Sequence, residues 1–150
     1  MLTAQDIMTA QVITVTPEMP VQDLAQLLID RQIGGVPVLD GEHLIGVVTE
    51  NDLIDQAKRL HIPTVLAILD AFIPLESPKR LDRDLRKMTG TTAGDICSRV
   101  VVTVETSTPL EEIATIMAEQ RLHTLPVLHE GRLAGVIGKR DLLRVLARKD

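Results

Sequence analysis

Residues 44–53 read LIGVVTENDL, an apolar run that passes through Gly46-Val47-Val48 into a turn and then into a helix carrying Asp52. The stretch returns 89 positions later as LAGVIGKRDL at residues 133–142, which keeps the glycine, the valine and the aspartate. Gly138 stands in the place of Thr49. The chain therefore contains the same strand-to-helix turn twice, each time with an acid in the first turn of the helix.

The same shift aligns three other pairs of segments without gaps. It matches TAQDI at 3–7 with TAGDI at 92–96, VITV at 12–15 with VVTV at 101–104, and PVL at 37–39 with PVL at 126–128. Two copies are too few for a solenoid, in which each repeat stacks only on its neighbours. We therefore expect two half-units that bury their apolar faces against each other.

Apolar spacing predicts one order of elements in both copies. Runs of β-branched residues indicate buried strands, apolar residues three and four apart indicate amphipathic helices, and Asp-Gly and Glu-Gly pairs indicate hairpin turns. The predicted elements are a helical turn at 6–8, strands at 12–15, 36–39, 44–48, 101–104, 125–128 and 133–137, and helices at 21–31, 50–61, 108–120 and 139–148. Residues 62–91 have no counterpart; they predict a helical linker that packs on the repeats or, alternatively, forms a lid or dimer contact.

Composition and charge exclude several classes of function. The chain has 150 residues, a formal charge of −5, one Phe and no Trp or Tyr, so nucleic acid is not an expected partner. One cysteine cannot form an intramolecular disulfide, and neither a signal peptide nor a membrane-length apolar run is present. We expect a cytoplasmic protein without membrane association. The four histidines lack partners at zinc-site spacing, so no metal is expected.

These motifs resemble the CBS domain, and two copies in tandem resemble a Bateman module. The resemblance rests on the PV strand and the GV-x-x-x-x-D turn, each of which occurs twice. It implies an α/β (α+β) fold of two βαββα-type repeats packed with pseudo-two-fold symmetry. The implied division is a first repeat at 1–61, a helical linker at 62–91 and a second repeat at 92–150.

In proteins of the CBS family, this aspartate typically accepts hydrogen bonds from both ribose hydroxyls, and the turn before it faces the phosphates. Carried over, the resemblance nominates one set of residues for each cleft: Thr49, Asn51 and Asp52, and Lys139, Arg140 and Asp141. A local role is the alternative, because a Thr at a helix start and an acid three residues on form a capping box. Gly138 removes the capping hydroxyl from the second copy, which favours the ligand role only in part, since an acid there still suits the helix dipole.

The resemblance also places the entry strand of one repeat at the adenine of the site whose aspartate lies on the other. Ile13 and Ile33 would serve the Asp141 cleft, and Val102 and Leu122 the Asp52 cleft, with core packing compatible with either role. The other predicted nucleotide-binding residues are Gly34, Val47, Val136 and His123. We assign His123, with Lys139 and Arg140, to the phosphates of the Asp141 cleft. That cleft is therefore expected to hold the more highly charged nucleotide.

The implied function is a non-enzymatic regulatory module that binds AMP, ADP or ATP between its repeats and signals to a separate, unidentified partner protein. No Walker loop or nucleophile-base motif supports catalysis, and no prosthetic group is expected. Exposed apolar helix faces predict a homodimer. The alternatives are a constitutive dimeric scaffold with vestigial clefts and a module that binds S-adenosylmethionine.

Overall fold

The computed structural model describes residues 1–59, 91–99 and 101–148. The first copy contains α1 (Ala4–Ile7), α2 (Val21–Arg31), β1 (Gly35–Asp40), β2 (His43–Thr49) and α3 (Glu50–Arg59). The second copy contains α4 (Ala93–Ile96), β3 (Val104–Glu105), α5 (Leu110–Glu119), β4 (Thr124–His129), β5 (Arg132–Gly138) and α6 (Lys139–Ala147). Both copies thus have the mixed α+β architecture that was expected. The linker predicted at 62–91 lies outside the described residues except for residue 91, so the linker and the domain division stay predictions.

Each copy is built on an antiparallel hairpin. β1 pairs with β2 starting at Gly35 opposite Thr49, and β4 pairs with β5 in the equivalent register. Gly41 and Gly131 occupy the hairpin turns with φ of +62° and +80°, a left-handed conformation that glycine adopts without strain. Both hairpins carry a register irregularity at the same place, so the duplication extends to the details of pairing.

The first strand of each copy is shorter than predicted. Residues 12–14 form no strand, Val15 makes a single parallel bridge to Val38, and β3 is two residues long. Val15 N donates to Pro37 O at 3.1 Å. One step further towards the N-terminus, the ladder would need a donor at the nitrogen of Pro37, which carries no hydrogen. Pro126 has the equivalent effect in the second copy, so the prediction of four-residue strands was wrong.

The first helical turn of each copy packs on the other copy. Ala4 N donates to Thr108 O and Ala93 N donates to Met19 O, both at 2.8 Å. Ala4 and Ile7 complete the core of the second copy, while Ala93 completes the core of the first. Because each half buries a turn contributed by the other, the two halves interlock.

Two aliphatic cores result from this exchange. Their fully buried larger side chains are Leu24, Val36, Val38 and Val48 in the first copy and Ile113, Leu125, Val127 and Ile137 in the second. Burying a side chain of this size contributes about 1.5–3 kcal/mol. These contacts fix the hairpins and hence the turns that follow them.

The two hairpins meet at equivalent positions. β1 contacts β4, β2 contacts β5, and Gly35 lies against its own counterpart, Thr124. A Cβ at Gly35 would lie 2.6 Å from Thr124 Oγ1, closer than real Cβ contacts come, so any larger residue would force Thr124 to shift. The contact brings the start of α3 beside the segment that precedes β4.

Candidate functional site

A cleft of about 180 Å³ opens between the start of α3 in the first copy and the segment before β4 in the second. The fold brings Val102 and Leu122 together with Thr49, Asn51 and Asp52, as predicted. The full lining is Val47, Thr49, Asn51, Asp52, Ser98, Val101, Val102, Arg121, Leu122, His123 and Thr124.

Asp52 is half-buried in the wall of this cleft. Its Oδ2 accepts hydrogen bonds from Thr49 N at 2.9 Å and from Thr49 Oγ1 at 3.1 Å, and Asp52 N lies 3.4 Å from the same hydroxyl. The local capping arrangement is therefore present. It occupies only Oδ2, because Oδ1 accepts no hydrogen bond from any of the described residues. Capping and ligand binding are thus compatible at this carboxylate.

The apolar part of the cleft is aliphatic. Val47 contributes from β2, while Val101, Val102 and Leu122 contribute from the second copy. Val102 and Leu122 also pack against the core of the second copy, so one set of side chains belongs to both core and cleft. A flat, uncharged ring system binds between such walls through the removal of apolar surface from water alone.

Two basic side chains line the cleft from the second copy, Arg121 and His123. The assignment of His123 to the Asp141 cleft was therefore wrong, because His123 lines the cleft that contains Asp52. Arg121 was not predicted at all. The available signal was the pair of basic side chains flanking Leu122, where the first copy has Gln32 and Gly34 instead.

Asp141, the counterpart of Asp52, is buried, with 8% of its surface exposed. Its Oδ2 accepts a hydrogen bond from Gly138 N at 2.7 Å, so half of the capping box persists without a capping hydroxyl. Its Oδ1 accepts hydrogen bonds from Thr9 Oγ1 and from Arg144 Nη1, each at 3.2 Å. Both oxygens of Asp141 are thus engaged within the protein, which makes the two carboxylates unequal.

The family model of the CBS domain matches residues 4–59 and 93–148. The chain belongs to the CBS-domain family. Because the matched segments coincide with the two copies, the molecule contains a tandem CBS pair. The Asp52 cleft lies where the helix start of the first CBS repeat meets the second repeat.

Known CBS proteins resemble the chain over most of its length. The chloroplastic CBS domain-containing protein CBSX2 of Arabidopsis thaliana is 28% identical over 134 residues, which cover 87% of this chain and 56% of that protein. The chain thus spans little more than half the length of that relative.

Solved structures share the fold. The crystal structure of CBSX2 in complex with AMP has a TM-score of 0.73 and 26% identity, covering 97% of this chain and 96% of that one. The crystal structure of Hypoxic Response Protein I with two coordinated zinc ions has a TM-score of 0.67 and 25% identity, covering 97% and 99%.

The other predicted residues of the CBS pair lie apart from the Asp52 cleft. Ile13 and Ile33 are half-buried and pack against the first core, and Gly34 is exposed. Val136 forms a bridge with Thr9, the residue that donates to Asp141. Lys139 and Arg140 are exposed on the first turn of α6, and the ion pair of Asp141 is made by Arg144 instead.

Within residues 1–59, 91–99 and 101–148, no three His, Cys, Asp or Glu side chains are grouped as metal ligands would be. The helices described there are also too short or too polar to cross a membrane. The half-buried Cys97 packs against the first core of the pair and lies close to Gly46.

Proposed function

We propose that this chain is a non-enzymatic regulatory module that binds an adenine nucleotide in its Asp52 cleft and signals the occupancy to a separate protein. The observation that carries the proposal is the Asp52 carboxylate, which caps α3 with one oxygen and has no donor from the described residues at the other. The AMP complex of the relative CBSX2 supports an adenine nucleotide as the ligand class.

The chemistry of the cleft suits a nucleoside. An ionised carboxylate only accepts hydrogen bonds, so Asp52 Oδ1 is matched to ribose hydroxyls, which donate. The aliphatic side chains Val47, Val102 and Leu122 offer apolar surface to the base. Each group of the nucleoside therefore has a partner of the correct type within one cleft.

The phosphates would lie at the mouth, where Arg121 and His123 are exposed. Hydrogen bonds from charged donors are roughly twice as strong as neutral ones. A volume of about 180 Å³ is below the roughly 300–1,000 Å³ of enclosed ligand sites, so part of the ligand stays outside the cavity. We infer that phosphate charge is recognised at Asp52 and not at Asp141, which reverses the assignment made from the sequence.

S-adenosylmethionine is the less favoured ligand. It carries a sulfonium cation where a nucleotide carries anionic phosphates, and Arg121 lines the cleft into which that cation would be placed. Like charges at short range disfavour binding. The same guanidinium therefore selects for phosphate and against the sulfonium.

Calorimetry with AMP, ADP, ATP and S-adenosylmethionine tests the proposal. Asp52→Ala is expected to weaken AMP binding by roughly 10- to 100-fold, since a hydrogen bond to a charged group contributes about 1.5–3 kcal/mol. Glu50→Gln is the matched control, because Glu50 is an exposed acid on the same helical turn outside the cleft lining. If Asp52→Ala binds AMP as tightly as the parent, the ribose role fails and the capping role alone remains.

A constitutive scaffold with vestigial clefts is the second candidate, favoured by the loss of the hydroxyl at Gly138. Thermal denaturation separates it from a sensor, because a ligand that binds only the native state stabilises it by RT ln(1 + [L]/Kd). A melting temperature unmoved by millimolar concentrations of all four ligands would remove the sensor of these ligands and favour the scaffold.

We also propose that the module is a homodimer. Ile54 and Leu143 occupy equivalent positions on α3 and α6 and are 64% and 60% exposed, and Leu146 is 80% exposed. Covering such side chains by a second copy would stabilise the assembly. Light scattering should give twice the 16.5 kDa chain mass, and Leu143→Glu should shift it towards the monomer. A monomeric parent at micromolar concentrations would rule the dimer out.

The proposal includes the absence of catalysis. AMP or ATP incubated with the purified chain should remain intact for hours, as followed by chromatography. Sustained release of phosphate or adenosine that Asp52→Ala removes would show that the cleft is an active site.

A further inference from the structure

The two equivalent aspartates of the CBS pair differ in what holds them. Asp141 Oδ1 accepts hydrogen bonds from Thr9 and Arg144, whereas Asp52 Oδ1 accepts none from the described residues. We propose that Thr9 and Arg144 determine which cleft accepts a nucleotide: they occupy the carboxylate oxygen of Asp141, so the chain binds one nucleotide, at Asp52. This inference rests on the proposed function and specifies its stoichiometry.

The sequence explains the difference at Arg144. The counterpart of Arg144, 89 positions earlier, is Asp55, an acid that has no proton to donate to a neighbouring carboxylate. Arg144 and Asp141 lie three residues apart on α6, which places them on the same face of the helix, and Asp55 and Asp52 have the same spacing on α3. One copy therefore carries a built-in donor for its aspartate, and the other carries a repelling charge.

Thr9 adds a donor from the other half of the chain. Thr9 follows α1, which packs on the second core, and the backbone of Thr9 bridges Val136 in β5. The hydroxyl therefore reaches Asp141 from a segment that is anchored on both sides of the contact. A ribose hydroxyl would have to take the place of this donor.

Exchanging the donors of Asp141 for a ribose hydroxyl would gain little binding free energy. A ribose hydroxyl there would replace a neutral hydroxyl and a charged guanidinium, and hydrogen bonds from charged donors are the stronger ones. At Asp52 Oδ1 the same hydroxyl would replace only water. The side chain of Arg144 is 72% exposed, so solvent weakens its ion pair, and the hydrogen bond from Thr9 supplies a second donor to the same oxygen. Lys139 and Arg140 add charge nearby but do not release the carboxylate.

The test is the number of AMP molecules bound per chain, measured by calorimetry on the full chain. The parent should bind one. The double variant Thr9→Val, Arg144→Asp should bind two, because both donors are gone and the helix then carries the residue found in the first copy. In the Asp52→Ala background, the same double variant should recover one bound AMP. Thr9→Ser with Arg144→Lys keeps a hydroxyl and a cation and should still bind one.

The reciprocal variant places the donor beside the other carboxylate. Asp55→Arg, at an exposed position of α3, should lower the AMP affinity of the Asp52 cleft by about fivefold, which corresponds to about 1 kcal/mol. This variant also decides the outcome if the double variant does not fold. An unchanged affinity in Asp55→Arg would then overturn the inference.

Two failures are distinguishable. A parent that binds no AMP removes the proposed function, and the inference with it. A parent that binds two AMP with equal affinity, or a folded double variant that still binds one, overturns the role of Thr9 and Arg144 and leaves the nucleotide-binding module intact.

Discussion

Adding one methyl group at Gly46 tests the interlocking of the two repeats. A Cβ at Gly46 would lie 2.5 Å from Ser98 O and 2.9 Å from Cys97 Sγ. Ordinary contacts begin near 3.4 Å, so the backbone carbonyl would have to move by about 0.9 Å. Because Ser98 lies in the segment after α4, which bridges Val47 of the first copy, Gly46→Ala pushes the two halves apart.

The cost can be worked from two terms. Inserting a methyl group into a close-packed site costs about 1–3 kcal/mol, and each lost hydrogen bond costs about 1 kcal/mol. Val47 N donates to Ser98 O at 3.2 Å and Ser98 N donates to Val47 O at 3.0 Å, so both are at risk. We expect Gly46→Ala to lower the free energy of unfolding by about 2–4 kcal/mol, or the melting temperature by roughly 4–16 °C for a domain of this size.

Gly135→Ala is the matched control, because Gly135 is the counterpart of Gly46 in the second copy. Its Cβ would meet Met8 Sδ at 2.5 Å and Met8 Cγ at 2.8 Å, and backbone only at 3.0 Å, at Thr9 O. A flexible methionine can change rotamer, so the loss should be about half as large. Urea denaturation of both variants measures the difference. If Gly135→Ala is the more destabilising, the reasoning from these contacts is refuted.

Two further predictions concern the exchanged turns. Ile7→Ala should cost about 2–4 kcal/mol of stability, and hydrogen exchange should show the loss in the second core, around Leu125, although Ile7 belongs to the first copy. Faster exchange confined to the first core would contradict the exchange of turns. At Asp95, the backbone N–H and the hydroxyl of Thr92 hold the carboxyl pKa below its ordinary value of 3.8. A carboxyl whose pKa is lower in the native state contributes stability above its unfolded pKa, and this stability is lost as the pH falls through the native pKa. Asp95→Asn removes the contribution, so its free energy of unfolding should fall less steeply than that of the parent below pH 3.8. Equal slopes for the two proteins would contradict this.

Sequence periodicity predicted most of the secondary structure because both copies repeat it. The hairpins are confirmed, and so is the presence of a helix after each one, since Gly41 and Gly131 and the alternating apolar residues leave few alternatives. The strand at 12–15 was wrong because propensity describes the side chains of that segment, whereas pairing depends on its neighbour. Pro37 in that neighbour lacks the N–H that a longer ladder requires.

The site was predicted less completely, and for a different physical reason. A repeat shows which positions are equivalent, but it does not show which copy supplies the wall of each cleft. The family pattern placed Leu122 at Asp52 correctly, while His123, the next residue, was assigned to the other cleft. Neither Arg121 nor Arg144 belongs to the motif, so only the three-dimensional contacts reveal them.

The divergence of the two copies separates roles that a single aspartate combines. In the first copy, Thr49 supplies both donors to Asp52 Oδ2, and Oδ1 receives none from the described residues. In the second copy the hydroxyl is lost at Gly138, yet the backbone still donates to Asp141 Oδ2 at 2.7 Å, so capping does not depend on the threonine. What distinguishes the copies is the other oxygen. If ribose binds at Oδ1, the difference between Thr49 and Gly138 in the motif does not decide occupancy. The difference between Asp55 and Arg144, one helical turn beyond the motif, does.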